Sequence, residues 1–165
     1  MDFIHRCDSP LGGITMAGRG DALTGLWFDG QKYFGSTLDR EHEEKRLPVF
    51  EETERWLDLY FSGIAPDFTP KLLLSATAFR SAVWEVLLGV PYGQTVTYGQ
   101  LARRAAQAAG RGKGSARAAG GAVSRNPVSL IIPCHRVVGA DGRLTGYAGG
   151  VERKEKLLRM EGILR

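Results

Sequence analysis

The sequence predicts an α+β protein in two parts: a small antiparallel sheet with a helix, then a mostly helical, winged helix-turn-helix-like domain. Three observations predict it. Short apolar runs broken by turn residues fill the first 30 positions. From Pro48 onward apolar residues recur mainly at helical spacing. Charge also changes sign along the chain: residues 1–85 carry 9 Lys/Arg against 14 Asp/Glu, a net of −5, and residues 86–165 carry 13 against 4, a net of +9. An acidic half followed by a basic one suggests that the second half meets a polyanion, although a solvated basic face gives the same count.

The elements follow in order. Strands are predicted at 3–7, 14–17 and 23–28, separated by Ser9, Pro10, Gly12 and Gly13, by Gly18 and Gly20, and followed by Asp29 and Gly30. Residues 39–46 are charge-dense and read as solvated. Pro48 suits a first helical turn, and Val49, Phe50, Thr53, Trp56, Leu57, Tyr60 and Phe61 form one buried stripe up to Ser62 and Gly63. Residues 64–75, with Pro66 and Pro70, read as an extended linker, which divides the chain into domains 1–75 and 76–165.

In the second domain Phe79, Val83, Trp84, Val86 and Leu87 line a helix that stops at Gly89, and Pro91-Tyr92-Gly93 is a turn. Thr97 and Gln100 fit a capping box that opens a helix to about Ala108. After a glycine-rich basic connection, 110–114, Ser115 caps a second short helix over 116–124, which gives a helix-turn-helix pattern. An apolar segment, 128–132, and a hairpin centred on Asp141-Gly142, the expected wing, come next. A last helix over 151–161 ends at Gly162.

At 165 residues the chain has room for one domain or two small ones. No apolar run reaches the ~20 residues of a membrane span, and the first six residues do not read as a signal peptide. Cys7 and Cys134 make no disulfide framework, so a reducing, cytoplasmic location is expected, or a nuclear one in a nucleated cell.

Three places could carry chemistry. The helix Ser115 to Ser124 has almost only small side chains and one arginine, Arg117, in its first turn. Tight helix packing explains that composition, and so does a helix laid on DNA with Arg117 reaching in and Arg111, Lys113 and Arg125 on phosphates. Cys134 follows a proline and precedes His135 and Arg136, whose positive charge would lower the thiol's pKa. In an extended segment adjacent side chains diverge, so His135 would reach the thiol proton through a water. Glu161 shares the inward face of Leu157 and Leu158 and reads either as a solvated helix end or as a carboxylate that orients an imidazole. His5, Cys7 and His42 are too few and too scattered for a zinc site, and no metal is expected.

The stretch from Phe79 to Gly162 resembles the O6-alkylguanine-DNA alkyltransferases. The resemblance rests on Val90-Pro91-Tyr92-Gly93, Thr97-Tyr98-Gly99-Gln100-Leu101-Ala102, Asn126-Pro127, Pro133-Cys134-His135-Arg136-Val137 and Gly146-Tyr147-Ala148-Gly149-Gly150. The first half matches loosely, and the 110–114 connection is more basic and glycine-rich than is usual in the family.

The resemblance implies a ribonuclease-H-like first domain and a single-turnover, irreversible transfer of an alkyl group from O6-alkylguanine in double-stranded DNA, with O4-alkylthymine a further candidate. Cys134 would be the acceptor, His135 the base through a water, Glu161 its orienter and Asn126 a brace. Tyr98 would stand at the target phosphate, help rotate the nucleotide out and assist protonation of the leaving base. Arg117 would fill the vacated stack from a helix in the minor groove, whose DNA contacts would come from Thr97, Ser115, Ala116, Ala118, Gly120, Gly121 and Arg125, with Arg111 and Lys113. Tyr147, Ala148, Gly149, Gly150, Val137 and Pro133 would line the guanine pocket, and the small residues at 148–150 suggest a roomy one. No cofactor is implied, the partner is damaged duplex DNA, and the protein would act as a monomer.

Three other readings compete. A non-catalytic winged-helix DNA binder is disfavoured by Cys134, and a transcription regulator by a helix with almost no base-reading side chains. A cysteine hydrolase would need an oxyanion hole and direct Cys–His contact, which adjacency of Cys134 and His135 makes awkward.

Overall fold

A computed structural model of the protein describes residues 1–110 and 114–165. They form two compact units, the first comprising Met1–Leu74 with Pro127–Ser129 and the second Ser75–Asn126 with Leu130–Arg165. No helix among the described residues is long and apolar enough to cross a membrane.

In the first unit, β1 (Asp2–Cys7), β2 (Ile14–Arg19) and β3 (Ala22–Phe28) form an antiparallel meander. The predicted sheet is therefore present, with one addition. The charge-dense stretch contains β4 (His42–Glu44), which is fully exposed but pairs parallel with β1, so the sheet is mixed, in the order β3-β2-β1-β4. Three charged or polar residues in a row carry no strand signal, and main-chain pairing alone defines β4.

Helix α1 (Pro48–Phe61) begins with Pro48 in its first turn and lays Val49, Phe50, Thr53, Trp56, Leu57 and Tyr60 into the core. Every residue of β3 is buried, although it lies at the end of the sheet order. Its outer edge is covered by two short parallel bridges, Leu23 with Leu72 and Leu26 with Val128. Part of the predicted linker thus pairs with the sheet, which keeps a buried edge from exposing unpaired amides.

In the second unit α2 (Ala78–Leu88), α3 (Tyr98–Ala108) and α4 (Ala116–Ser124) pack on one another. The capping box at Thr97 and Gln100 and the Ser115 cap are both formed. The two helices pack on each other, and the buried residues of α3 (Leu101, Ala102, Ala105, Ala106) and of α4 (Ala119, Ala122) are mostly alanines, which allow a close approach. A Cβ on Gly114 would lie 2.6 Å from the Ala102 carbonyl oxygen, so only glycine fits there. The expected wing differs. A turn forms at 139–142, with Gly142 at φ +82, and the Gly139 amide donates across it to the Arg143 carbonyl at 3.0 Å, but no strand ladder extends from it among the described residues. Val137–Val138 (β6) instead pairs parallel with Val96–Thr97 (β5) ahead of α3. Helix α5 (Val151–Met160) closes the unit, with Glu161 at its C-cap and Gly162 at φ +77.

Candidate active site

Backbone geometry places the cysteine. Pro133, at φ −81 and ψ 65, makes a tight three-residue turn in which the Cys134 amide donates to the Ile132 carbonyl at 2.8 Å. The Asn126 side-chain amide donates to the same carbonyl at 2.8 Å, which ties the end of α4 to the turn. Just ahead, Leu130 is 1% exposed and sits at φ +71, a conformation that strains a bulky side chain. Cys134–Arg136 then form one turn of 3-10 helix. The extended geometry assumed for this segment is therefore replaced by a helical one, in which neighbouring side chains fan out instead of opposing each other.

All three side chains of that turn are buried: Cys134 is 2% exposed, His135 0% and Arg136 8%. His135 Nε2 and Glu161 Oε2 are 2.6 Å apart. The Arg136 guanidinium donates to Glu161 Oε1 at 2.8 Å and Oε2 at 3.3 Å, and to the Val90 carbonyl at 2.8 Å. The Gly93 amide, in the Pro91-Tyr92-Gly93 turn, donates to Glu161 Oε1 at 2.9 Å. Glu161 is therefore no solvated helix end but the hub of a buried network.

The charges follow from this. Burial alone would push the Glu161 carboxyl up, but the hydrogen bonds from His135, Arg136 and the Gly93 amide outweigh it and hold it at about 2. Burial drives the His135 pKa down, against the pull of Glu161, so the imidazole is neutral at pH 7. A carboxylate on Nε2 fixes the proton on that nitrogen and leaves Nδ1 as the basic atom. Burial also pushes the Cys134 thiol up; hydrogen bonds from Asn126 and Tyr147 and the charge of Lys154 favour its thiolate in part. This corrects the expectation that His135 and Arg136 lower it: one is neutral, and the other is spent on Glu161.

Around this centre, the Tyr147 ring meets His135 edge-on, with centroids 6.5 Å apart. A Cβ on Gly149 would lie 2.5 Å from the Tyr147 ring, so that space is filled, whereas nothing stands within 4 Å at Gly150. Ala148 is half-buried. Pro133 and Val137 are buried, Val137 wholly so. The Tyr98 hydroxyl lies 3.0 Å from Thr145 Oγ1.

Helix α4 has two faces. Ala119, Ala122 and Val123 are buried, and the Trp84 indole donates to the Ala122 carbonyl at 3.0 Å. Ala116, Arg117, Ala118, Gly121 and Arg125 are exposed. The packing reading of its small side chains holds on the buried face, and the opposite face is open. Gly120 is half-buried, 3.7 Å from the Tyr98 ring as measured from a would-be Cβ. Arg117 has no hydrogen-bond or ion-pair partner among the described residues, whereas the side chains of Thr97 and Ser115 are engaged as helix caps. Arg111 and Lys113 lie outside the described residues.

Sequence reasoning missed the network role of Arg136, the strained Leu130, exposed Arg103 and Arg104 on α3, and a wholly buried lysine, Lys154, on α5. Lys154 on the inward face, three residues before Leu157, was the available signal. No group of three or more His, Cys, Asp or Glu suited to a metal ion occurs among the described residues.

Known proteins resemble the chain along nearly its whole length. The family model of the 6-O-methylguanine DNA methyltransferase DNA-binding domain matches residues 78–163, and that of its ribonuclease-like domain residues 4–74. A methylated-DNA–protein-cysteine methyltransferase of Mycobacterium leprae is 43% identical over 154 residues, covering 93% of this chain and 88% of its own. One from Methanosarcina acetivorans is 42% identical over 155 residues, covering 94% and 95%. The crystal structure of Mycobacterium tuberculosis OGT in complex with DNA superposes with a TM-score of 0.82 at 40% identity, covering 96% of this chain and 92% of that one.

Proposed function

The chain belongs to the methylated-DNA–protein-cysteine methyltransferases, which repair DNA by moving an alkyl group from O6-alkylguanine to a cysteine, and we propose that Cys134 is that cysteine and works as follows. The supporting observation is the buried series Cys134, His135 and Glu161, with His135 Nε2 2.6 Å from the carboxylate.

His135 Nδ1 takes the thiol proton through a water while Glu161 stabilises the charge that forms on the imidazole. The thiolate attacks the alkyl carbon, the carbon–sulfur bond forms as the carbon–oxygen bond breaks, and guanine leaves. The proton given up by the thiol offsets the one guanine regains, with Tyr98 assisting. The thioether has no leaving group that would regenerate the thiol, so each chain acts once.

A sulfur 2% exposed cannot reach an atom inside a duplex, so the nucleotide is rotated out at a cost of a few kcal/mol. Arg117, on the open face of α4, enters the gap from the minor groove, and Tyr98 stands at the target phosphate. Ala116, Ala118, Gly121 and Arg125 lie against the DNA with Ser115, Thr97 and Gly120 beside them, and Arg111 and Lys113 add phosphate contacts. Tyr147, Ala148, Gly149, Gly150, Pro133 and Val137 enclose the base. Residues 1–75 support the reactive domain 76–165, and the protein works as a monomer inside the cell.

Transfer of radiolabelled methyl from O6-methylguanine duplex DNA tests the assignment. Wild type and Cys7→Ser take up label and Cys134→Ser takes up none; label on Cys134→Ser overturns it.

A further inference from the structure

From residue 86 to residue 140 the chain holds seven Arg or Lys and no Asp or Glu. The run has no counter-charge of its own, and its members divide by what they touch. Arg136 is spent on Glu161 and the Val90 carbonyl. Arg111 and Lys113 lie outside the described residues, and Arg117 and Arg125 are exposed on or beside α4. Arg103 and Arg104 remain, both exposed on α3.

Arg103 has a defined place. A helical side chain leans back toward the helix N-terminus, so each residue covers the one four positions before it. For Arg103 that residue is Gly99, which has no side chain in the way. Arg103 Nη1 lies 3.6 Å from where a Cβ on Gly99 would stand, and Thr97 Oγ1 lies 4.0 Å from the same point. The guanidinium is thus drawn to the first turn of α3, beside Tyr98. Helix α3 carries no acidic residue, and Arg103 makes no hydrogen bond or ion pair with any described residue. Asp141, the carboxylate that ends the run, is taken by Arg143. The start of α3 also stands against α4: the Tyr98 ring lies 3.7 Å from where a Cβ on Gly120 would be. Glycine at both 99 and 120 leaves room for another backbone to come close. Arg104 is about 100° further round the helix.

We propose that Arg103 is a DNA-contacting residue: it grips a backbone phosphate of the lesion strand next to the one at Tyr98, in the space that Gly99 leaves open. The inference rests on duplex DNA being the substrate with Tyr98 at the target phosphate. A guanidinium donates two parallel hydrogen bonds to phosphate oxygens, and one already folded over Gly99 loses little freedom in doing so. The contact holds the strand beside the rotated nucleotide and carries no sequence information, as suits repair of a damaged base in any sequence.

The test compares wild type with Arg103→Ala, Arg103→Lys and Arg55→Ala, the last removing an exposed cation from α1 as a control for net charge. Alanine at an exposed helix position favours the helix, so Arg103→Ala keeps the fold. Affinity for O6-methylguanine duplex DNA is measured in Cys134→Ser protein, which binds without reacting, between about 50 and 200 mM salt. Transfer rates are measured on the duplex and on free O6-benzylguanine with Cys134 in place. Arg103→Ala is expected to bind and repair the duplex about fivefold less well and to lower the salt slope by about one. Free O6-benzylguanine has no phosphate and reacts at the wild-type rate. Arg103→Lys recovers the salt slope, and Arg55→Ala leaves slope and rates in place. Duplexes with a single neutral methylphosphonate then locate the contact: one phosphate beside the lesion matters to wild type and no longer matters to Arg103→Ala.

A wild-type slope and affinity in Arg103→Ala, or a loss no larger than that of Arg55→Ala, overturns the proposal. So does an equal loss on free base and duplex, which would make Arg103 a structural residue, and so does a methylphosphonate pattern in Arg103→Ala that matches wild type at every position beside the lesion. Wild-type protein that failed to repair the duplex would instead refute the alkyl-transfer reading on which the inference rests.

Discussion

Replacing Glu161 by glutamine keeps its shape and removes its charge, and the structure fixes what that costs. The carboxylate accepts from the Gly93 amide at 2.9 Å, from Arg136 at 2.8 and 3.3 Å, and from His135 at 2.6 Å. A buried carboxyl held at about 2, against an ordinary ~4.3, is favoured in its charged form by about 3 kcal/mol. Glu161→Gln also strands the Arg136 guanidinium, 8% exposed, and removal of one partner of a buried pair costs about 3–5 kcal/mol. The variant should lose roughly 3–4 kcal/mol in denaturant unfolding. Because the folded-state pKa is depressed, this stabilisation is complete above about pH 4.3 and fades as pH falls toward 2, so wild type and variant converge in acid. The imidazole loses its charged orienter, and the rate with free O6-benzylguanine should fall by about two to four orders of magnitude. A loss under ~1 kcal/mol, or a gap that does not close in acid, would refute the network as the source of stability. An unchanged rate would remove Glu161 from the chemistry.

Three further outcomes follow. Arg117→Ala should weaken repair of duplex DNA by at least about tenfold while leaving free O6-benzylguanine within about twofold, since its proposed role is on the stack and not on the bond; equal losses would end that proposal. Gly149→Ala puts a Cβ 2.5 Å from the Tyr147 ring and should cost about 1–3 kcal/mol and slow both substrates; a variant as stable and fast as wild type would show that the ring is free to move. His135, its pKa lowered by burial, contributes stability that is full above about pH 6.5 and is lost as pH falls below it, so His135→Gln should lack the first acid step of the wild-type stability curve.

What the sequence discloses and what it hides divides by range. The capping box at Thr97, the Ser115 cap, the Pro48 start of α1 and the glycine stop at Gly162 are local, settled within a few residues, and all were readable. The parallel pairs β1–β4 and β5–β6 join segments about 40 residues apart through two or three residues each, too short for any alternation to register. The Asp141-Gly142 turn was legible and its flanks close on each other from the Gly139 amide to the Arg143 carbonyl, but the parallel pairing of Val137–Val138 with Val96–Thr97 was not.

At the site, the identities of Cys134 and His135 stood out as a motif, while their electrostatics did not. Whether Cys134 is lowered by its neighbours depends on Arg136 being bound to Glu161 25 residues away, which no local pattern records. Lys154 is written like any charged residue of an amphipathic helix, and only the packing of α5 shows that its ammonium is enclosed. The positive φ of Leu130 is likewise imposed by the fold on a residue with no preference for it.

The central claim is that one sulfur accepts one alkyl group. Intact-mass measurement after mixing with excess O6-methylguanine duplex DNA, followed by peptide mapping, addresses it directly. The expected result is a gain of one methylene's mass per chain, confined to the peptide holding Cys134, with no further gain on prolonged incubation. Mass on the Cys7 peptide, more than one methyl per chain, or tight binding to the lesion with no gain would contradict it.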